Sequence, residues 1–165
     1  MNKTINLMFN NLEYNSLDKN YFKLMLVKRV IFVLIVIVIL FVYRLINSHG
    51  WLSSTLFIIG IGVVFLLGLF YVLLAKVYFA RKQYAINESN VTYKSGVLFQ
   101  SIVVVPFSRI QHIELDEGPF ERKLGLTALS IYTAGDSGKD LLIKGLKNEK
   151  AIEIKEYITS YIKNE

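Results

Sequence analysis

Two polar clusters in the second half of the chain hold the side chains best suited to chemistry. Ser108-Arg109-Ile110-Gln111-His112 follows a β-type run, Ile102–Val105, that ends at Pro106. Glu121-Arg122-Lys123 follows a turn at Gly118-Pro119. Arg109 and Arg122 suit an anion, because a planar guanidinium offers bidentate hydrogen bonds to phosphate or carboxylate. If one sheet brings Arg109, Gln111 and His112 beside Arg122 and Lys123, the group is an anion-accepting patch or a partner-protein surface. If Arg109 instead pairs with Glu117 or Glu121, the same residues fix a turn. Between the clusters run Glu114, Asp116 and Glu117. A period of two puts Glu114 and Asp116 on one strand face and Glu117 on the other. Such a row takes a cation or simply faces water.

Catalysis asks for more than this. A nucleophile needs a base, and the base needs an orienting partner. His112 is the only histidine after the apolar spans, the other being His49, and no triad pattern surrounds it. The chain has no cysteine, so thiolate metal sites and disulfides are excluded. Gly118 and Gly125 stand alone, without a phosphate-loop or dinucleotide fingerprint. The expectation is therefore no enzyme, no cofactor and no metal. Nucleic acid is excluded as a partner by charge. The formal charge of +6 divides into +7 over residues 1–82 and −1 over residues 83–165. The basic excess flanks apolar segments and does not coat the folded half, a pattern of membrane topology.

The elements that must position the clusters are short strands. Tyr84–Asn87 and Val91–Lys94 read as a hairpin around Glu88-Ser89-Asn90, and Ser95-Gly96 turns into a strand over Val97–Val105. Ile113-x-Leu115 continues the alternation, followed by Leu126–Thr133 and Leu141–Ile143. Gly135-Asp136-Ser137-Gly138 reads as a turn, and Gly145 ends the last strand. The period then changes. Ala151, Ile154, Ile158 and Tyr161 recur at spacings of three and four, one face of a helix, with Asn148 as N-cap and Glu149 in its first turn. The domain is thus six or seven antiparallel strands in a small barrel or sandwich, closed by a C-terminal helix.

Upstream, 53% hydrophobic residues and a mean hydropathy of +0.43 concentrate in two spans. Val30–Tyr43, extended to Leu24 and Ile46, crosses a bilayer if Lys28, Arg29 and Arg44 snorkel. Thr55–Ala75 has no charge, and Gly60, Gly62 and Gly68 offer a close-packing seam for span one or another subunit. A turn, Asn47–Trp51, joins them, with Trp51 suited to the interface and His49 an ordinary loop residue. Lys19, Lys23, Lys28 and Arg29 precede span one, and Lys76, Arg81 and Lys82 follow span two, with only Arg44 between. The positive-inside rule puts both termini in the cytoplasm. The expected organisation is a cytoplasmic N-terminal tail (1–23), a transmembrane hairpin (24–80, spans about 24–46 and 55–77) and a cytosolic domain (81–165). The Asn-rich tail reads as loosely ordered, or as an interfacial segment or a docking arm for a partner, and not as a signal peptide.

Several residue groups carry a family resemblance: Val104-x-Pro106, Arg109-Ile110-Gln111-His112, Gly118-Pro119-x-Glu121-Arg122, Gly125-Leu126 and Thr133-Ala134-Gly135. From about Arg81 to the C-terminus the chain resembles the bacterial pleckstrin-homology (PH-like, bPH2) membrane protein family of the YdbS-like type. The resemblance implies a PH-like fold on a membrane anchor. It implies a non-enzymatic subunit of a heteromeric complex with a larger membrane protein bearing several PH-like domains (YdbT-like), with a loosely envelope- or stress-related role. Membrane lipids are the other expected partner, and a homo-oligomer is the other assembly. The phosphoinositide site of eukaryotic PH domains is not implied. The alternative function is a lipid-headgroup sensor at the inner leaflet using Arg109 and Arg122.

Overall fold

A computed structural model describes residues 13–46, 54–134 and 140–163. The expected turns at Asn47–Trp51 and Gly135–Gly138, and the first twelve residues of the N-terminal segment, lie outside the described residues. The described chain forms two compact units. One draws on Met1–Tyr21 and Tyr78–Glu165, and the other is Phe22–Val77.

The second unit consists of most of two helices, α1 (Lys19–Ile46) and α2 (Ser54–Ala80). At a rise of about 1.5 Å per residue they are roughly 42 and 40 Å long, beyond the ~30 Å of a hydrocarbon core. A core helix of a soluble protein would bury its apolar window, whereas here 0% and 6% of the two windows is buried. Side chains such as Phe32, Ile39, Leu66 and Phe70 face outward, so the surroundings that satisfy them are lipid. The helices run antiparallel. Arg44 lies over the Phe57 ring at 5.7 Å, Phe32 meets Tyr71 edge-on at 6.4 Å, and Arg29 donates to the Tyr71 carbonyl at 2.5 Å. Of the three glycines, Gly68 alone makes the close approach: a Cβ there would meet Val33 Cγ1 at 2.7 Å, while Gly60 and Gly62 have nothing within 4 Å.

Among its described residues the other unit contains seven strands, a short helical turn and a terminal helix. Sheet order is β1 (Asn15–Ser16), β2 (Gln83–Ile86), β3 (Asn90–Ser95), β4 (Ser101–Pro106), then a separate sheet of β5 (Ile110–Asp116), β6 (Leu126–Thr133) and β7 (Leu141–Lys147). All pairings are antiparallel. Leu129, Ile131, Ile143 and Leu146 are buried on the second sheet. The terminal helix, which follows a helical turn α3 (Pro119–Lys123), is α4 (Asn148–Lys163), and its Ala151, Ile154 and Ile158 are buried at the spacing the pattern demanded.

Four expectations need correction. The N-terminal segment is not merely a tail. Asn15 and Ser16 pair with Tyr84 and Gln83, and Leu17 and Tyr21 are buried. The helical pair is therefore an insertion in the β1–β2 connection, and the sheet unit is discontinuous in sequence. The strand expected over Val97–Val105 starts only at Ser101, because residues 96–100 form the β3–β4 tip. Gly145 does not end β7. There Ile143 pairs with Leu129 and Leu146 with Thr127, so Lys144 and Gly145 are a bulge opposite Ala128. Gly145 has a φ of +85°, and its carbonyl accepts the Asp18 N–H at 3.0 Å. The arm thus bonds to β2 in one sheet and to β7 in the other. The fourth correction concerns the polar clusters.

Candidate functional site

The first cluster is set by an apolar anchor. Phe107 is fully buried and meets Tyr157 and Tyr161 of α4 edge-on, with centroids 6.1 and 5.2 Å away. Its N–H donates to the Ser89 carbonyl. This fixes the 3₁₀ turn Phe107–Arg109 that carries the chain from β4 to β5. Arg109 is exposed, and its carbonyl accepts the Ala134 N–H at 3.1 Å. Ile110 pairs with Thr133 and His112 with Tyr132, so Gln111 is an extra residue, a bulge. Gln111 and His112 consequently both face outward.

Beyond the bulge the outer face of β5 is a row of cross-strand bonds. The His112 ring stacks on Tyr132, centroids 4.1 Å apart and 15° between planes. Its Nε2 lies 3.7 Å from Glu114 Oε1, and the Tyr132 hydroxyl donates to Glu114 Oε2 at 2.7 Å. Ser130, fully buried, donates to Asp116 at 2.8 Å, and Thr127 donates to Glu117 at 2.9 Å. The carboxylates are thus engaged in holding β5 to β6. Among the described residues no three His, Asp or Glu side chains converge as metal ligands.

The second cluster lies at the other end of β5. The seven residues of β5 lie between Arg109 and this cluster, roughly 20 Å at ~3.3 Å per residue, while Gln111 and His112 sit within the strand itself. Arg109 therefore stands apart from Glu121, Arg122 and Lys123, with Gln111 and His112 on the strand that joins them. Arg122, not Arg109, approaches Glu117, at 3.6 Å. The motif around them builds a corner. Pro119 opens α3, where no donor is lost. Arg122 N–H donates to the Gly118 carbonyl, and Leu124 N–H to that of Glu121. Gly125 leaves the turn with a φ of +65°, and its carbonyl accepts the Asn148 N–H, tying the corner to the start of α4. Glu121 faces a cavity of about 310 Å³, also lined by Tyr21, Asp116, Lys144 and Gly145.

A third region was missed by pattern reading. At the end of the four-stranded sheet where Gln83 pairs with Lys94, Lys82 Nζ lies 4.5 Å from the Tyr78 ring and 5.6 Å from that of Tyr21. Lys94 Nζ lies 5.4 Å over Tyr14. Burial, and then the neighbouring Tyr21 and Tyr78, pushes the Tyr93 phenol well above the usual tyrosine range. Past this end, Leu98 and Phe99 are 92% and 90% exposed. Their apolar run beside a glycine could have signalled a tip, but β-propensity read it as strand.

The chain is similar to known proteins in three respects. Residues 21–162 match the family described as bacterial PH domain. Over 111 residues the chain is 29% identical to the UPF0699 transmembrane protein YdbS of Bacillus subtilis (strain 168), covering 66% of this chain and 65% of that protein, so the match spans less than two thirds of the relative. A crystal structure of a DUF1696 family protein with a pleckstrin-homology domain, from Shewanella loihica PV-4, aligns at a TM-score of 0.40 and 18% identity, over 51% of this chain and 73% of that one. Two outward-facing apolar helices, seven antiparallel strands with a closing C-terminal helix, and a family match over most of the chain agree: this is a membrane protein that belongs to the bacterial PH domain family, of the YdbS-like kind.

Proposed function

We propose that the chain is a non-catalytic, membrane-anchored docking subunit whose PH-like unit faces the cytoplasm and assembles with a larger membrane protein bearing several PH-like domains. The observation that carries this reading is the discontinuous sheet. Ser16, before α1, pairs with Gln83, after α2. Both flanks of the helical pair therefore belong on one side of the membrane. The clustering of Lys19, Lys23, Lys28, Arg29, Lys76, Arg81 and Lys82 at those flanks supports the cytoplasmic side. A unit held by two connections suits a docking platform. Its carboxylates support a non-catalytic reading, since Glu114, Asp116 and Glu117 are engaged in cross-strand bonds. The YdbS-like resemblance supports the larger YdbT-like protein as the partner, and the envelope- or stress-related role rests on that resemblance alone.

The test is purification of the full chain through a C-terminal tag in mild detergent, with mass spectrometry of what co-elutes. A stoichiometric membrane protein with several PH-like domains is the expected result. Recovery of the tagged chain alone, as monomer or homo-oligomer, overturns the complex. The alternative, a headgroup sensor using Arg109 and Arg122, asks one ligand to bridge roughly 20 Å along β5. Flotation of the protein with anionic liposomes should accordingly be insensitive to Arg109→Ala with Arg122→Ala.

A further inference from the structure

The four-stranded sheet has two ends of opposite character. One end carries both connections to the membrane helices. Ser16 pairs with Gln83 and Gln83 with Lys94, while Ser95 pairs with Ser101. Helix α1 starts at Lys19, soon after Ser16, and α2 stops at Ala80, just before Gln83. The β3–β4 tip, Gly96-Val97-Leu98-Phe99-Gln100, leaves the sheet from this same end. The far end carries the β2–β3 hairpin, Asn87-Glu88-Ser89-Asn90, which is polar and acidic. Two hairpins of one sheet thus differ in chemistry according to which lies at the end joined to the membrane.

Among the described residues the tip is apolar and without cover. Leu98 and Phe99 are almost fully exposed and Val97 is 40% exposed. No carboxylate occurs between Glu88 and Glu114, and the cations Lys94 and Lys82 stand at the end of the sheet from which the tip leaves. Tyr14, Tyr21 and Tyr78 lie beneath those cations. Tyrosines and lysines at the sheet end that carries an exposed apolar tip are the composition of a protein surface at the headgroup layer. The cations complement an anionic leaflet.

We propose that Val97, Leu98 and Phe99 insert into the headgroup–acyl boundary of the bilayer that α1 and α2 cross, giving the PH-like unit a third membrane attachment. The tip reaches roughly 7–10 Å past Ser95 at ~3.3 Å per residue, and interfacial segments bury their apolar face ~5–10 Å deep. Insertion turns a unit tethered by two connections into one of fixed orientation at the membrane. This rests on the reading of α1 and α2 as membrane spans.

The absence of cysteine allows single labels. The full chain is reconstituted in nanodiscs of phosphatidylcholine and phosphatidylglycerol, with an environment-sensitive fluorophore on Gln100→Cys, Glu88→Cys or Leu66→Cys. Spin-labelled lipids should quench the labels at 100 and 66 and spare that at 88, while aqueous iodide does the reverse. Adding Leu98→Asp and Phe99→Asp to Gln100→Cys should remove the lipid quenching, since each buried side chain shifts such an equilibrium by about ten- to a hundredfold. Lipid quenching at 66 with a label at 100 that behaves like that at 88 overturns the insertion alone. So does a label at 100 shielded from iodide but untouched by lipid quenchers, the sign of a protein surface covering the tip. Loss of lipid quenching at 66 overturns the membrane reading and the insertion with it.

Discussion

Gly145→Ala should unlatch the N-terminal arm. Gly145 sits in the β7 bulge at a φ of +85°, and a Cβ added there falls on the Tyr21 ring. An L side chain in left-handed backbone costs about 1–2 kcal/mol, and forcing an atom into a packed site about 1–3 kcal/mol more, so the total is about 2–5 kcal/mol. Gly125→Ala is the control. It shares the positive φ, +65°, but has open space around it. It should carry only the backbone cost of about 1–2 kcal/mol. The two changes should also differ in where they act. Displacing Tyr21 or twisting residue 145 disturbs the carbonyl that accepts the Asp18 N–H. Hydrogen exchange on the full chain in detergent reads both quantities. Gly145→Ala should strip protection from the Asp18 amide and the β1–β2 ladder before β6 is affected, whereas Gly125→Ala should leave the arm as protected as β6 allows. Equal costs for the two variants, or an arm unaffected by Gly145→Ala, would refute the latch.

The aromatic anchor, the helix seam and the tyrosines each give a further test. Phe107→Ala empties a fully buried site against Tyr157 and Tyr161 and should cost about 3–5 kcal/mol, read as a lowered denaturation midpoint. Gly68→Leu should separate α1 from α2, abolishing cross-linking between cysteines placed at 33 and 67, while Gly60→Leu leaves it intact, since only Gly68 approaches Val33. Burial raises the pKa of Tyr93 and of Tyr84, so the folded state holds protons that the unfolded chain releases near pH ~10. Stability should therefore be indifferent to these groups at neutral pH and fall as pH climbs past ~10 toward their raised values. Unfolding midpoints measured against pH, with tyrosinate absorbance, check the sign.

What could be read from sequence was what repeats or accumulates. Long apolar runs, charge asymmetry at their ends and the three-and-four spacing of Ala151, Ile154 and Ile158 each sum many residues into one signal. Single-residue geometry was not readable. Gly145 looked like a terminator because nothing local distinguishes a bulge from a stop. Gln111, one extra residue, turns itself and His112 outward together, where strict alternation would have put them on opposite faces. The failure of Arg109 and Arg122 to meet was recoverable. The strand between them is long enough to forbid it once Ile110–Asp116 is taken as one element instead of a brief run around Ile113 and Leu115. Strand β1 was out of reach. Two ladder residues make no period, and their partners lie beyond both helices.

That last pairing raises an energetic question, because two ladder residues are too few to close so long a connection by themselves. Closing a flexible loop of that length would cost roughly 4 kcal/mol by chain entropy, more than a two-residue ladder supplies at ~1 kcal/mol per net hydrogen bond. Leu17 and Tyr21 add burial, and the Asp18 N–H adds one bond to Gly145. The larger share comes from the inserted helices. With 28 and 27 residues they are matched in length and antiparallel, so once they span the bilayer the chain returns to the face it left. Ser16 and Gln83 are then presented near each other, and the closure entropy falls largely on membrane insertion instead of on the sheet. Replacing residues 24–77 by a flexible glycine-serine linker of equal length should therefore release the arm while β5–β7 stays folded. Exchange at the Asp18 amide would become fast, and the core amides of β6 would stay protected. An arm still protected in that variant would mean that Leu17, Tyr21 and the Gly145 bond hold β1 without help from the helices.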